Sequence, residues 1–396
     1  MREACPFAQV RIRELELNNF DYSVKNLFHP AVTLLRDGRW MASMQDISNS
    51  DFYGEPLYAV SADRGATWSK PVAVEALRHS HRPGTPEDFV EGVADPRIFT
   101  LQDGSVIMLG CSNFYLGSSR ANADARNLDK IPAARSYYAI WSPETEDWGP
   151  RHELEVPGWG ERNLAAACIQ AQTVGKAQII IPAYVDSDEN DPQPGDPKRA
   201  GVMSMLFRHV GDRLEFVGKS RILNLAVKRG LLEPSVVRLP DGSYAMTIRA
   251  EDGNMYCAFA PDGLAWSGPE PWRWEDGTEI RTDSTQQHWI RLGDRVFLVY
   301  TRFDGSNYPE PFRCRAPLYF AEAVPGKARL IRASEQVVFP RMRRNGIEYR
   351  YGNFHCAPLG ENSALITDAA YYAEVVGPNQ HRNVSTIIKA AEATFA

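Results

Sequence analysis

Residues 27–45 read LFHPAVTLLRDGRWMASMQ. Apolar and polar residues alternate on both sides of Asp37-Gly38, and Asp-Gly between two alternating runs is a hairpin signal. A second pair of short runs follows in PLYAVSADRGATWSKP (56–71). The same unit returns along the chain. GVADPRIFTLQDGSVIMLGC (92–111) leads to RSYYAIWSPETEDWGP, and NLAAACIQAQTVGKAQIIIPAY (163–184) to AGVMSMLFRHVGDRLEFVG. LLEPSVVRLPDGSYAMTIRA (231–250) leads to NMYCAFAPDGLAWSGPEPW, and TQQHWIRLGDRVFLVYTR (285–302) to APLYFAEAVPGKARLIRA. RYGNFHCAPLGENSALITDAAYY (350–372) leads to RNVSTIIKAAEATF. A hairpin-pair repeat at this period reads as the blades of a propeller. The expected fold is all-β, a six-bladed β-propeller in one domain over 1–396. Its blades fall near 26–80, 92–155, 162–220, 231–275, 284–335 and 350–396. The early strand at 7–17 has no blade of its own and is placed to pair with the last one, closing the ring and hiding an edge.

The 396 residues suffice for a sizeable core, and 43% hydrophobic with 24% charged is an ordinary soluble composition. The 29 Gly, 27 Pro, 9 Trp, 16 Tyr and 17 Phe suit short strands joined by tight turns. A net charge of -6 argues against nucleic acid or an anionic membrane as partner. No secretory leader and no membrane span are recognised, so a cytoplasmic location is expected. The six cysteines, Cys5, Cys111, Cys168, Cys257, Cys314 and Cys356, lack CxxC spacing and read as buried thiols. No Cys/His pair has ligand spacing, so neither a metal nor another cofactor is expected.

Ser61-Ala62-Asp63-Arg64-Gly65-Ala66-Thr67-Trp68 fits S-x-D-x-G-x-T-W, and Ala260-Pro261-Asp262-Gly263-Leu264-Ala265-Trp266 is a degraded copy. The Asp side chain can bind N–H groups of its own turn, Gly permits positive φ, and Trp packs beneath. The motif resembles the Asp-box of the BNR-repeat propellers, the sialidase-like superfamily. The resemblance extends over most of the chain. A Glu opens a middle blade (Glu233), an Arg follows about one hairpin later (Arg249), another Arg stands in the next blade (Arg315, with Arg313 competing), and a Tyr opens the last (Tyr351). The first blade departs from the plan: the family's Arg is absent and His29 stands nearby.

By that resemblance the activity expected is an exo-acting glycoside hydrolysis of an acidic or deoxy sugar at the propeller axis. Tyr351 would be the nucleophile and Glu233 its base, hydrogen-bonded to each other. Asp46 or Asp51 would supply the proton, and Arg249 and Arg315 would bind a carboxylate. The remaining polar residues at the starts and ends of inner strands are further candidates. They are His29 for acid–base work, and Arg97, Asp95, Arg302, Gln286 and Asn353 for substrate. Two alternatives stand beside this: a lyase that β-eliminates at a uronate, with His29 or Tyr351 as base, and a glycan-binding propeller without catalysis. In each case the partner expected is a carbohydrate, an anionic one foremost, with no nucleic acid and no membrane.

Overall fold

The computed structural model describes residues 10–16, 26–49, 52–121, 125–187, 199–305, 315–377 and 380–395. Six antiparallel sheets follow one another along the chain. Blade 1 runs Leu27–Leu34, Trp40–Asn49, Leu57–Ser61, Val72–Ala73, and blade 2 Phe89–Thr100, Val106–Leu116, Ser136–Ser142, Asp147–Trp148. In blade 3 the innermost strand is broken into Leu164–Ala165 and Gln172–Val174. Both pieces pair with Gln178–Asp186, which is followed by Ala200–Val210 and Arg213–Lys219. Blade 4 runs Leu232–Arg238, Tyr244–Arg249, Met255–Ala260, Glu270–Pro271. Blade 5 runs His288–Leu292, Arg295–Thr301, Leu318–Glu322, Gln336–Phe339. Blade 6 takes His355–Gly360, Ser363–Gly377 and Gln380–Phe395 from the end of the chain and Val10–Glu16 from its start. Among the described residues helical structure is confined to short 3-10 turns, and no helix is long and apolar enough to cross a membrane.

The two-residue period of a strand explains how such sheets form a ring. Successive side chains face opposite ways, so each blade offers an apolar face to both neighbours. Ile179 and Ile181 pack toward blade 2, against Leu109 and Ile140, whereas Ile180 between them packs toward blade 4 with Met246 and Ala258. Similar clusters join blades 1 and 2 (Met41, Met108, Trp141), 4 and 5 (Trp272, Trp289, Leu298), 5 and 6 (Phe320, Phe339, Ile366), and 6 and 1 (Trp40, Leu365, Ile388). The core is thus a ring of six inter-blade layers. Cys111, Cys168, Cys257 and Cys356 are buried free thiols; Cys5 and Cys314 lie outside the described residues.

The turns have local causes. In blades 1, 2 and 4 the Asp of Asp-Gly accepts the N–H two residues on, from Arg39, Ser105 and Ser243, at 3.0, 2.9 and 3.0 Å. The glycines after them, Gly38, Gly104 and Gly242, have φ of 91°, 95° and 90°, which a side chain would resist. In the Ser61–Trp68 turn, Asp63 accepts from Thr67 N–H at 2.7 Å and Thr67 Oγ1 at 2.5 Å, while Gly65 N–H donates to Ser61 Oγ at 2.8 Å. Gly65 lies against the ring of Trp40, so the turn is stapled onto the blade 6–blade 1 layer.

Candidate functional site

The innermost strands of the first four blades share a device. His29, Asp95, Cys168 and Glu233, one in each of the first four blades, have left-handed backbones with φ of 55°, 54°, 52° and 46°. Such a conformation costs a non-glycine residue about 1–2 kcal/mol and persists only where the surroundings enforce it. In blades 1, 2 and 4 the ladder slips register there, between Phe28 and Ala31, Ala94 and Arg97, and Leu232 and Ser235. Pro30, Pro96 and Pro234 follow directly, and proline cannot donate to a ladder. A bulge of this kind re-aims a side chain. Here it turns polar groups from successive blades toward the axis.

The result is a compact set of contacts across blades. His29 Nδ1 lies 2.9 Å from Asp95 Oδ1, and His29 Nε2 is buried without a hydrogen-bond partner. Asp95 N–H donates to Gln45 Oε1 at 3.0 Å. Burial works against ionisation of the Asp95 carboxyl, but the His29 ring and then Arg97 outweigh it and hold it below the ordinary carboxylate value. One ligand-type atom each from His29, Asp95 and Cys168 lies within 4.8 Å of the others. Burial, with Asp95 and Glu233 nearby, pushes the Cys168 thiol well up. Glu233 Oε1 accepts from Arg249 Nη1 at 2.5 Å, and Arg249 Nε donates to Ser284 Oγ at 2.8 Å.

The other predicted residues divide. Asp46, at the same end of blade 1, has a buried Oδ1 with no partner, and desolvation raises its carboxyl to about 6. Asp51 lies outside the described residues. Arg97 is fully buried beneath the site, its Nη2 3.5 Å from Gln286 Oε1, and Gln286 in turn donates to Phe354 O. Arg315 Nη1 donates to the Tyr371 hydroxyl at 3.0 Å and lies 3.5 Å from Asn353 Oδ1. Asp368 beside them is fully buried, and desolvation raises it to about 7 although Gly352 and Ala369 N–H groups donate to it. His288 and His355 are held neutral by burial with Arg97 near.

Two expectations require correction. Tyr351 does not meet Glu233: its hydroxyl donates to Pro340 O at 3.0 Å, and its ring lies fully buried against Phe339 in the blade 5–blade 6 layer. The reason is register, since the inner strand of blade 6 starts only at His355. Arg302 does not point to the axis either. It clamps Glu335 through Nε and Nη2 at 2.8 and 2.7 Å and stacks over Tyr319, which makes it an outer element of blade 5.

Cys168, Gln45, Ser284, Tyr371 and Tyr184 were not foreseen. Tyr184 lies near the far end of the second strand of blade 3, opposite Ala165, as Asp46 and Arg249 do in theirs, opposite Leu27 and Leu232. That shared position was the available signal. Burial, then Cys111, Cys168, Glu233 and Asp95 close by, keep the Tyr184 phenol protonated.

Searches of family models and of curated proteins give no match. Solved structures do match. A protein of unknown function from Dyadobacter fermentans aligns over 98% of this chain and 100% of its own, at 16% identity and TM-score 0.62. The NanB sialidase of Streptococcus pneumoniae aligns over 98% of this chain and 70% of its own, at 13% identity and TM-score 0.62. An alpha-L-arabinanase of Penicillium chrysogenum aligns over 97% and 99%, at 11% identity and TM-score 0.54. The chain has the sialidase-like six-bladed propeller fold, an architecture that also carries glycosidases.

Proposed function

We propose that this protein is a glycoside hydrolase whose substrate enters at the end where the inner strands begin, with Asp46 as proton donor and an acidic sugar as substrate. The observation that carries the reading is Asp46. It is a partly exposed carboxyl with one buried oxygen left without a partner, and desolvation alone raises it to about 6. A general acid must hold its proton near working pH and give it up to the leaving oxygen, which is what this environment favours. The nearly buried Arg249 and Arg315 each keep a nitrogen without a hydrogen-bond partner, Nη2 and Nε, and so have donors to offer a carboxylate. The sialidase and arabinanase of the same fold support a carbohydrate as partner.

The test is product chemistry. The protein is incubated with sialosides, arabinosides and uronate-ended oligosaccharides, and the mixture is read for new reducing ends and for ultraviolet absorbance. New reducing ends that disappear in Asp46→Asn, with the fold intact by circular dichroism, are the expected result. An unsaturated, ultraviolet-absorbing product would replace hydrolysis by β-elimination. Saturable sugar binding with neither product would make the site a lectin's.

A further inference from the structure

We propose that His29, Asp95 and Cys168 together bind one divalent transition metal of the zinc class. The three residues stand a whole blade apart in sequence, so no motif spacing could announce them. The propeller brings their donor atoms within 4.8 Å of one another, and the His29–Asp95 pair to 2.9 Å. An imidazole nitrogen, a thiol sulfur and a carboxylate oxygen form a borderline donor set suited to zinc, which takes three such ligands plus a water or substrate atom in open sites.

Two features of these residues agree with that use. First, His29 is 2% exposed, its Nδ1 faces Asp95 Oδ1 at 2.9 Å, and its Nε2 is buried with no hydrogen-bond partner, a state that is unfavourable for a buried polar atom. Second, the left-handed turn that Glu233 also has brings all three donor atoms to one point, Cys168 included although no proline follows it.

The charges also balance. On binding, the Cys168 thiol releases its proton to solvent and the metal takes its place on sulfur. A dication with one thiolate, one carboxylate and a neutral imidazole is then neutral overall. The Glu233–Arg249 pair beside it stays as it is. Behind Asp95, Gln45 fixes the loop by accepting its N–H and by donating to Val93 O and Gly54 O at 2.5 and 2.8 Å, the outer support that metal ligands need.

This assignment goes beyond the hydrolase reading and does not depend on it, because its readout is spectroscopic. The full-length protein is stripped with a chelator and titrated with Co2+. The expected result is saturation at one equivalent, a sulfur-to-cobalt charge-transfer band in the near ultraviolet, tetrahedral bands in the visible, and loss of both on adding Zn2+. Cys168→Ser, nearly isosteric, should lose the charge-transfer band, and Asp95→Asn should weaken Co2+ binding at least tenfold. Cys356→Ser, a buried thiol outside the cluster, should keep the full spectrum. A Zn2+-induced rise in Tm, present in the parent and absent in Cys168→Ser, checks the site where a variant folds poorly. No stoichiometric Co2+ binding by the parent, or a charge-transfer band that survives in Cys168→Ser, overturns the assignment.

Discussion

Asp46 and Tyr351 show how environment, not residue type, assigns work. Both were candidates by position, yet one ends as a half-buried carboxyl with an unpartnered oxygen and the other under Phe339. If Asp46 donates the proton, it must be protonated in the free enzyme. Its raised value then sets the alkaline limb: kcat/KM on a substrate with a poor leaving group should fall tenfold per pH unit above about 6. Asp46→Asn should lose roughly 10²–10⁴-fold in activity and lose that limb with it. A pH profile flat from 5 to 8 in the parent would remove Asp46 from the role. Tyr351→Phe should behave oppositely. It deletes the part-buried hydrogen bond to Pro340 O, which costs about 1 kcal/mol of stability. Turnover should stay within about twofold of the parent, and a loss of hundredfold or more would restore the phenol to the chemistry.

At the scale of elements, legibility followed the physics of the short range. Asp-Gly turns were readable because the turn itself demands a side-chain acceptor and a positive φ, as Asp37, Asp103 and Asp241 show. Glu233 and Arg249 were readable as site candidates because one hairpin returns the chain to its start, with Leu232 opposite Arg249. Cys168 and Tyr184 were not. The inner strand of blade 3 is interrupted and has no proline after its left-handed residue, so nothing local marks it. The place of Tyr351 hung on a four-residue difference in where a strand begins, which propensity does not resolve. The Ser61–Trp68 turn offers a test at this scale. Asp63 accepts from Ser61 Oγ, Thr67 N–H and Thr67 Oγ1. Asp63→Ala leaves that backbone donor and a left-handed Arg64 unsupported, and should lower the denaturant midpoint without changing the steepness of unfolding. A variant as stable as the parent would mean that the apolar seat of Gly65 on Trp40 holds the turn alone.

For the whole molecule, the decisive contact is the one that joins the two ends of the chain. A propeller is a quasi-repetitive ring in which each blade contacts only its neighbours, so stability depends on every layer being covered. Blade 6 gets three strands from the end of the chain and its outermost from the start: Val10 to Glu16 pair in register with Phe395 to Lys389. Ile12 and Phe395 pack on the cluster shared by blades 5 and 6. Deleting residues 1–16 removes a seven-residue strand and its ladder. It also leaves Gln380–Phe395 as an open edge, with a row of unpaired N–H and C=O groups that invites a second chain. The truncated protein should therefore lose on the order of 5 °C or more in Tm and associate as its concentration rises. A synthetic peptide of residues 8–18 should reverse both effects when added in excess, because it restores the missing strand without restoring the covalent link. Thermal melts and sedimentation with and without the peptide separate the possibilities. A truncated chain that stays monomeric and melts with the parent would show that the ring is held by its six apolar layers alone and that the shared blade contributes little.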